Sequence, residues 1–140
     1  MHKNFTHEVK VYYEDTDAGG VVYYANYLKF LERARTEALV NLGFSNKKVK
    51  DNFGALIIVK SCNIDYKKSA KLEDTLSIRS FIKSITKTSF IMSQFITETG
   101  NLIVEAKVHI VFVNLEGKPI KIPDILLQKF KPFFCKNIKI

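Results

Sequence analysis

Between residues 12 and 27 the chain reads Tyr12-Tyr13-Glu14-Asp15-Thr16-Asp17-Ala18-Gly19-Gly20-Val21-Val22-Tyr23-Tyr24-Ala25-Asn26-Tyr27, and the side chains able to do chemistry concentrate here. By composition this is a polar turn ahead of a helix. The spacing Asp15-x-Asp17 with Gly20 also fits the first, third and sixth positions of a calcium loop. That reading fails, because Gly19 carries no ligand at the fifth position and Asn26 replaces the bidentate glutamate at the twelfth. The third reading is acyl transfer. Glycines let backbone approach a ligand closely, and a helix beginning near Tyr24 offers unpaired amides and a partial positive charge to an oxyanion. A carboxylate beside them could attack an acyl carbon or activate a water, with the tyrosines supplying hydroxyls and aromatic walls.

Other catalytic kits are missing. His2, His7 and His109 have no metal-ligand spacing, and two cysteines cannot complete a zinc site without them. His109 falls on the polar face of a strand, as a surface histidine does. Cys62 and Cys135 read as free thiols rather than a disulfide. There is no Gly-x-Ser-x-Gly elbow and no phosphate-binding P-loop.

The elements that must position the loop are legible from periodicity. Phe5 to Tyr12 alternates as a first strand, and about Tyr24 to Leu42 reads as the long helix, with Gly43 as its stop. Ala25, Leu28, Leu31, Ala34, Ala38 and Leu42 form its apolar stripe. Ser45 to Phe53 is a lysine-rich helical segment or loop. Period two then takes over through Ala55–Tyr66, Asp74–Thr86, Thr88–Thr97 and Leu102–Asn114, with a hairpin turn at Thr99-Gly100-Asn101. In the last strand Val104, Ala106, Val108, Ile110 and Phe112 share one face. Pro123 opens a final helix through about Phe133. Strands joined by short turns are antiparallel, and one long helix has to cover one face of their sheet. The fold class is α+β, an antiparallel sheet wrapped around one long central helix, in a single domain over residues 1–140. The apolar residues left on the other face and an open edge strand predict an oligomer.

Bulk properties bound the setting. A hydrophobic fraction of 46% and a charged fraction of 26% are those of a globular chain, and 140 residues suffice for a core without staples. The longest apolar run, Ala55 to Val59, is strand-sized, and the N-terminus has no signal-peptide pattern, so the expected location is the cytoplasm. Net charge is +8, carried largely by dispersed lysines. This fits a solvated surface or an anionic, phosphate-bearing ligand. Lysine rather than arginine argues against nucleic acid as a partner.

The run Tyr13 to Tyr27, continuing into Leu31-Glu32-Arg33-Ala34-Arg35-Thr36-Glu37, resembles the hot-dog thioesterases of the 4-hydroxybenzoyl-CoA thioesterase family, and most of all its Tol-Pal-associated branch. The resemblance implies a hot-dog fold and hydrolysis of acyl-CoA thioesters to free acid and CoA. It places the catalytic carboxylate on Asp17 and the carbonyl-polarising amide on Tyr24, where many members of the branch carry histidine. A phenol there donates a hydrogen bond but does not act as an imidazole base. Tyr13 matches a tyrosine beside the site and takes a supporting role; Gly20 and Val22 are further substrate-binding candidates, and Asp15, at the exit of the first strand, can cap or brace the loop. The resemblance further implies a homotetramer built as a dimer of dimers, no metal or other cofactor, and sites made from two chains, Tyr24 facing the partner's Asp17. An acyl-carrier protein or phospholipid-synthesis enzyme is an expected partner. For the CoA phosphates the candidates are Lys60, Lys67, Lys68, Lys83 and Lys87, with Ser69 and Ser89 as hydroxyl donors. Two rival functions stay in view. A hydratase of the same thioesters would need a histidine near the loop, and a non-enzymatic binding module, for phospholipid-synthesis partners, the membrane surface or nucleic acid, would use the basic C-terminal end.

Overall fold

The computed structural model describes residues 3–138, so His2 lies outside the described residues. Strand β1 (Phe5–Lys10) leads through a one-turn 3-10 helix to α1 (Asn26–Asn41) and α2 (Asn46–Phe53). Strands β2 (Leu56–Tyr66), β3 (Thr75–Ile85), β4 (Ser89–Glu98) and β5 (Asn101–Val113) follow, then α3 (Asp124–Phe130). The five strands form one antiparallel sheet in the order β1-β3-β4-β5-β2. The β4–β5 hairpin closes through Thr99 and Gly100 with φ of 45° and 84°, the positive pair that a two-residue turn between twisted strands requires.

Helix α1 lies on one face of this sheet and packs against β1 and β3. Its buried stripe is Tyr27, Phe30, Leu31, Ala34, Ala38 and Leu39. The stripe expected from sequence is therefore rotated. Leu28 is 45% exposed, because the large rings of Tyr27 and Phe30 claim the sheet face at that level. Nor does α1 cover the face alone: Val49 of α2 and Leu126 and Phe130 of α3 join Leu39, Phe90 and Phe112 at its C-terminal end. A second apolar cluster surrounds its N-terminal half, with Leu31 and Ala34 against Leu76, Ile78, Ile96 and Val104.

A buried polar knot sits where these clusters meet. On the inner sheet face Gln94 falls between Met92 and Ile96, and its neighbour across the strands is Ser80. The Gln94 amide donates to the Leu31 carbonyl and the Ser80 hydroxyl, each at 3.1 Å, and its oxygen accepts from Arg35 at 3.0 Å. Burial pushes the Arg35 guanidinium below its ordinary range, with Glu32 and Cys62 partly opposing this.

Strand β2 forms one edge of the sheet, largely exposed, and a bulge at Lys60 interrupts its register with β5 between Val59 and Ser61. Gln94→Leu should cost about 2–3 kcal/mol, because it strands the Arg35 donor and the Ser80 hydroxyl together. Urea denaturation monitored by far-ultraviolet circular dichroism measures this, and a loss below about 0.5 kcal/mol would count against the knot.

Candidate active site

The loop expected to carry the chemistry is tied at both ends before it reaches solvent. After β1 the chain turns through Tyr13–Asp15, and Asp15, only 8% exposed, accepts the Tyr12 amide on Oδ2 at 2.9 Å. The Asp15 carbonyl accepts from the Tyr23 amide and from Asn26 Nδ2, both at 2.9 Å. Strand exit and helix entry are thereby fixed to one peptide. The Asp15 brace expected from sequence is present.

From that anchor residues 16–22 fold into a tight hairpin. Thr16 bridges Val22, the Asp17 amide donates to the Val21 carbonyl, and Gly20 donates back to the Asp17 carbonyl at 3.1 Å. Gly20 has φ of 79°, a left-handed conformation that a side chain would strain. The Gly19 amide donates to Asp17 Oδ1 at 2.8 Å, and a Cβ on Gly19 would stand 3.2 Å from that oxygen. The Asp17 side chain is thus oriented at an exposed tip. The hairpin's far strand is sewn to the segment before β3: Val21 bridges Lys71, and the Val22 amide donates to Ala70. The Ala70 amide in turn donates to the buried Tyr27 hydroxyl at 3.0 Å.

Helix α1 starts two residues later than the sequence suggested. Tyr24 and Ala25 form a turn, and the amides of Asn26, Tyr27 and Leu28 donate to the carbonyls of Tyr23, Tyr24 and Ala25. Among the described residues the Tyr24 and Ala25 amides have no acceptor, so the positive helix entry keeps two donors unspent. Around them Tyr23 and Tyr24 lie at 4.9 Å between ring centroids, Tyr24 and Tyr66 at 6.1 Å, and Tyr66 and Tyr27 at 5.7 Å. A hydrogen bond with the Tyr24 hydroxyl raises the Tyr23 phenol. Burial raises Tyr27, and burial followed by nearby Cys62 and Tyr24 raises Tyr66. An oriented carboxylate and free amides at a helix entry are the parts that acyl transfer needs.

The other expected contacts scatter. Tyr13 is 81% exposed beside the hairpin, whereas Val22 is 4% exposed and packs into the core, so its side chain is a wall of the protein rather than of a substrate. Lys67, Lys68 and Ser69 directly precede Ala70 and share the hairpin's end of the sheet. Lys60 lies at the β2 bulge, and Lys83 late in β3. Lys87 lies in the β3–β4 turn and Ser89 opens β4, its hydroxyl bonded to that of Thr86 at 2.7 Å. The eleven residues of β3 put that turn about 33 Å from the hairpin end. One protomer therefore does not gather Lys83, Lys87 and Ser89 around Asp17. Sequence reasoning missed Tyr66; its signal was its inward phase at the end of β2, opposite Val104.

Two outcomes test the loop. Asp15→Ala should lower stability by about 1–2 kcal/mol by orphaning the Tyr12 amide. A phenol raised in the folded state contributes stability that is present below the unfolded value near 10 and lost as pH climbs through the folded value. Urea midpoints should therefore fall as pH rises above about 10, and Tyr27→Phe should fall less steeply than wild type.

The family model described as the thioesterase-like superfamily matches residues 11–130. A protein of Escherichia coli O6:H1 named acyl-CoA thioester hydrolase YbgC is 42% identical over 91% of this chain and 96% of its own. The Haemophilus influenzae protein named acyl-CoA thioesterase YbgC is 37% identical over 93% of this chain and 96% of its own. Among solved structures, a probable thioesterase from Bartonella henselae superposes with a TM-score of 0.83 at 34% identity, covering 86% of this chain and all of that one. The sheet curled on one long helix, the matched span and these relatives agree: the chain belongs to the thioesterase-like, hot-dog superfamily.

Proposed function

We propose that the chain hydrolyses acyl-CoA to free acid and CoA, with Asp17 as its carboxylate and the Tyr24 amide as oxyanion donor. The observation that carries this reading is Asp17 itself, exposed and oriented by the Gly19 amide, on a hairpin braced to a helix entry with unspent donors. The relatives named acyl-CoA thioesterases support the substrate class.

Two routes use these parts. In one, Asp17 attacks the acyl carbon, the C–S bond breaks to release CoA, and water cleaves the resulting anhydride. In the other, Asp17 takes a proton from the water that attacks directly. Both build negative charge on the acyl oxygen, where the Tyr24 amide, joined by that of Ala25, is most useful. The Tyr24 hydroxyl, engaged with Tyr23, acts as a donor and wall in place of the branch's histidine.

The catalytic unit combines two copies, the Tyr24 turn of one facing Asp17 of the other, in a cytoplasmic homotetramer built as a dimer of dimers. The exposed β2 edge and its apolar Ile58 and Val59 support assembly. An open groove of about 670 Å³ between α1 and β2, lined by Leu39, Leu42, Ile57, Phe90 and Met92, supports apolar acyl groups. Its rim at Glu32 and Arg35 begins about 9 Å along α1 from the helix start. Acyl-carrier protein and phospholipid-synthesis enzymes are the partner classes this reading favours.

Thiol release from a panel of short- to long-chain and benzoyl-type acyl-CoAs tests the reading. Asp17→Asn should lower kcat by about 10²–10⁴-fold with the fold intact. Gly19→Ala should lower it by about 10-fold or more by displacing the carboxylate. Wild-type turnover in Asp17→Asn would sink the mechanism.

A further inference from the structure

On the sheet face turned away from α1, lysines from two strands converge. Lys107 of β5 pairs with Ser93 of β4, which pairs with Phe81 of β3, so these three share one face. Lys83 is the extra residue of a bulge between Ile82 and Ser84, and such bulges re-aim a side chain. Here Lys83 and Lys107 line the same concavity.

A third lysine arrives from the C-terminus, and its approach is fixed. The Cys135 amide donates to the Ile82 carbonyl at 2.8 Å, and its side chain is buried with Phe81 and Phe95. This carries Lys136 and Asn137 over the outer face. The residues enclose a concavity of about 760 Å³, open to solvent, with Phe95 and Ile138 as apolar wall.

The concavity has excess positive charge and free donors. Glu105 is the one acid in its lining, against three lysines. The ion pairs among the described residues, Lys47–Asp51 and Lys121–Asp124, lie elsewhere. The neighbouring positive charge of Lys107 holds Lys83 below the ordinary lysine range, a repulsion that a bound anion would relieve. Among the described residues the Ser93 hydroxyl makes no hydrogen bond within the protein, although Ser93 is almost fully buried.

We propose that Lys83, Lys107 and Lys136, with the Ser93 hydroxyl and the Asn137 amide, bind a phosphate-bearing anion on the outer face of the sheet. Two surplus positive charges and several convergent donors suit a phosphate dianion, and the apolar wall leaves room for an attached nucleoside. The site goes beyond the acyl-transfer reading and does not rest on it. The nucleotide end of CoA and inorganic phosphate are the two sources of this chemistry.

Calorimetric titration of the full chain at low salt, with inorganic phosphate and separately with adenosine 3′,5′-bisphosphate, tests it. Saturable binding, one per chain, should weaken tenfold or more in the Lys107→Gln/Lys136→Gln double variant. Lys47→Gln, on α2, should bind as wild type does. The double variant should keep a thermal midpoint at or above wild type without ligand, since it removes like charges. Tighter binding of the bisphosphate supports the site with the nucleotide as its source, and equal binding of both supports it with free phosphate. No saturable binding, or binding indifferent to the double substitution, overturns it. Acyl-CoA hydrolysis alongside such a failure would leave the catalytic reading standing, and binding without hydrolysis would sink that reading alone.

Discussion

The Asp15 peptide is the point on which the site depends. Its carbonyl takes two hydrogen bonds, one from the Tyr23 amide and one from the Asn26 side chain, while its carboxylate holds the Tyr12 amide. Three segments that would otherwise move independently, the exit of β1, the hairpin and the entry of α1, are pinned to one residue. Asp17 sits two positions beyond this anchor and the unspent Tyr24 amide one position beyond Tyr23. The positioning of both is inherited from Asp15, a residue that takes no part in the proposed chemistry. Catalytic groups need support of this kind, because a carboxylate on a free loop samples too many orientations to favour one reaction geometry.

A second constraint works beneath it. Gln94, Ser80 and Arg35 place a polar cross-link between two apolar clusters, so α1 is located along the sheet by directional bonds as well as by packing. Apolar contacts alone tolerate sliding, whereas a buried amide with one set of partners does not. The register of α1 matters here because the turn leading into it carries the two unspent amides, the proposed oxyanion donors. The knot near the middle of the helix and the Tyr27–Ala70 bond near its start thus serve the same end.

Much of this was legible in the sequence. Period two marked β2 to β5 to within a residue or two, since alternation records which face is buried. The Asp17 loop stood out through residue types and through resemblance. What escaped was set by tertiary context. The helix start moved from Tyr24 to Asn26 because Asp15, eleven residues earlier, captures the Asn26 side chain, and local propensity does not record that bond. Leu28 left the core because Tyr27 and Phe30 are larger competitors for the same space. Val22 entered it because the hairpin is sewn to Ala70. The lysines expected to meet one ligand proved to lie at different ends and faces of the sheet. Strand membership is readable from pattern, but distance along a strand becomes meaningful only once neighbours and register are known.

The bulge at Lys60 has a consequence for how the sheet can grow. In an unbroken edge strand every second side chain faces the same way, and any other extended chain can dock along its full length. An extra residue near the middle of β2 shifts that rhythm, so the two halves of the edge are out of phase with each other. A straight strand can match one half at a time, and only a strand with its own compensating irregularity can match both. The single-residue offset therefore acts as a selectivity filter on the exposed edge: indiscriminate stacking stops at Lys60, while a chain carrying the complementary offset passes.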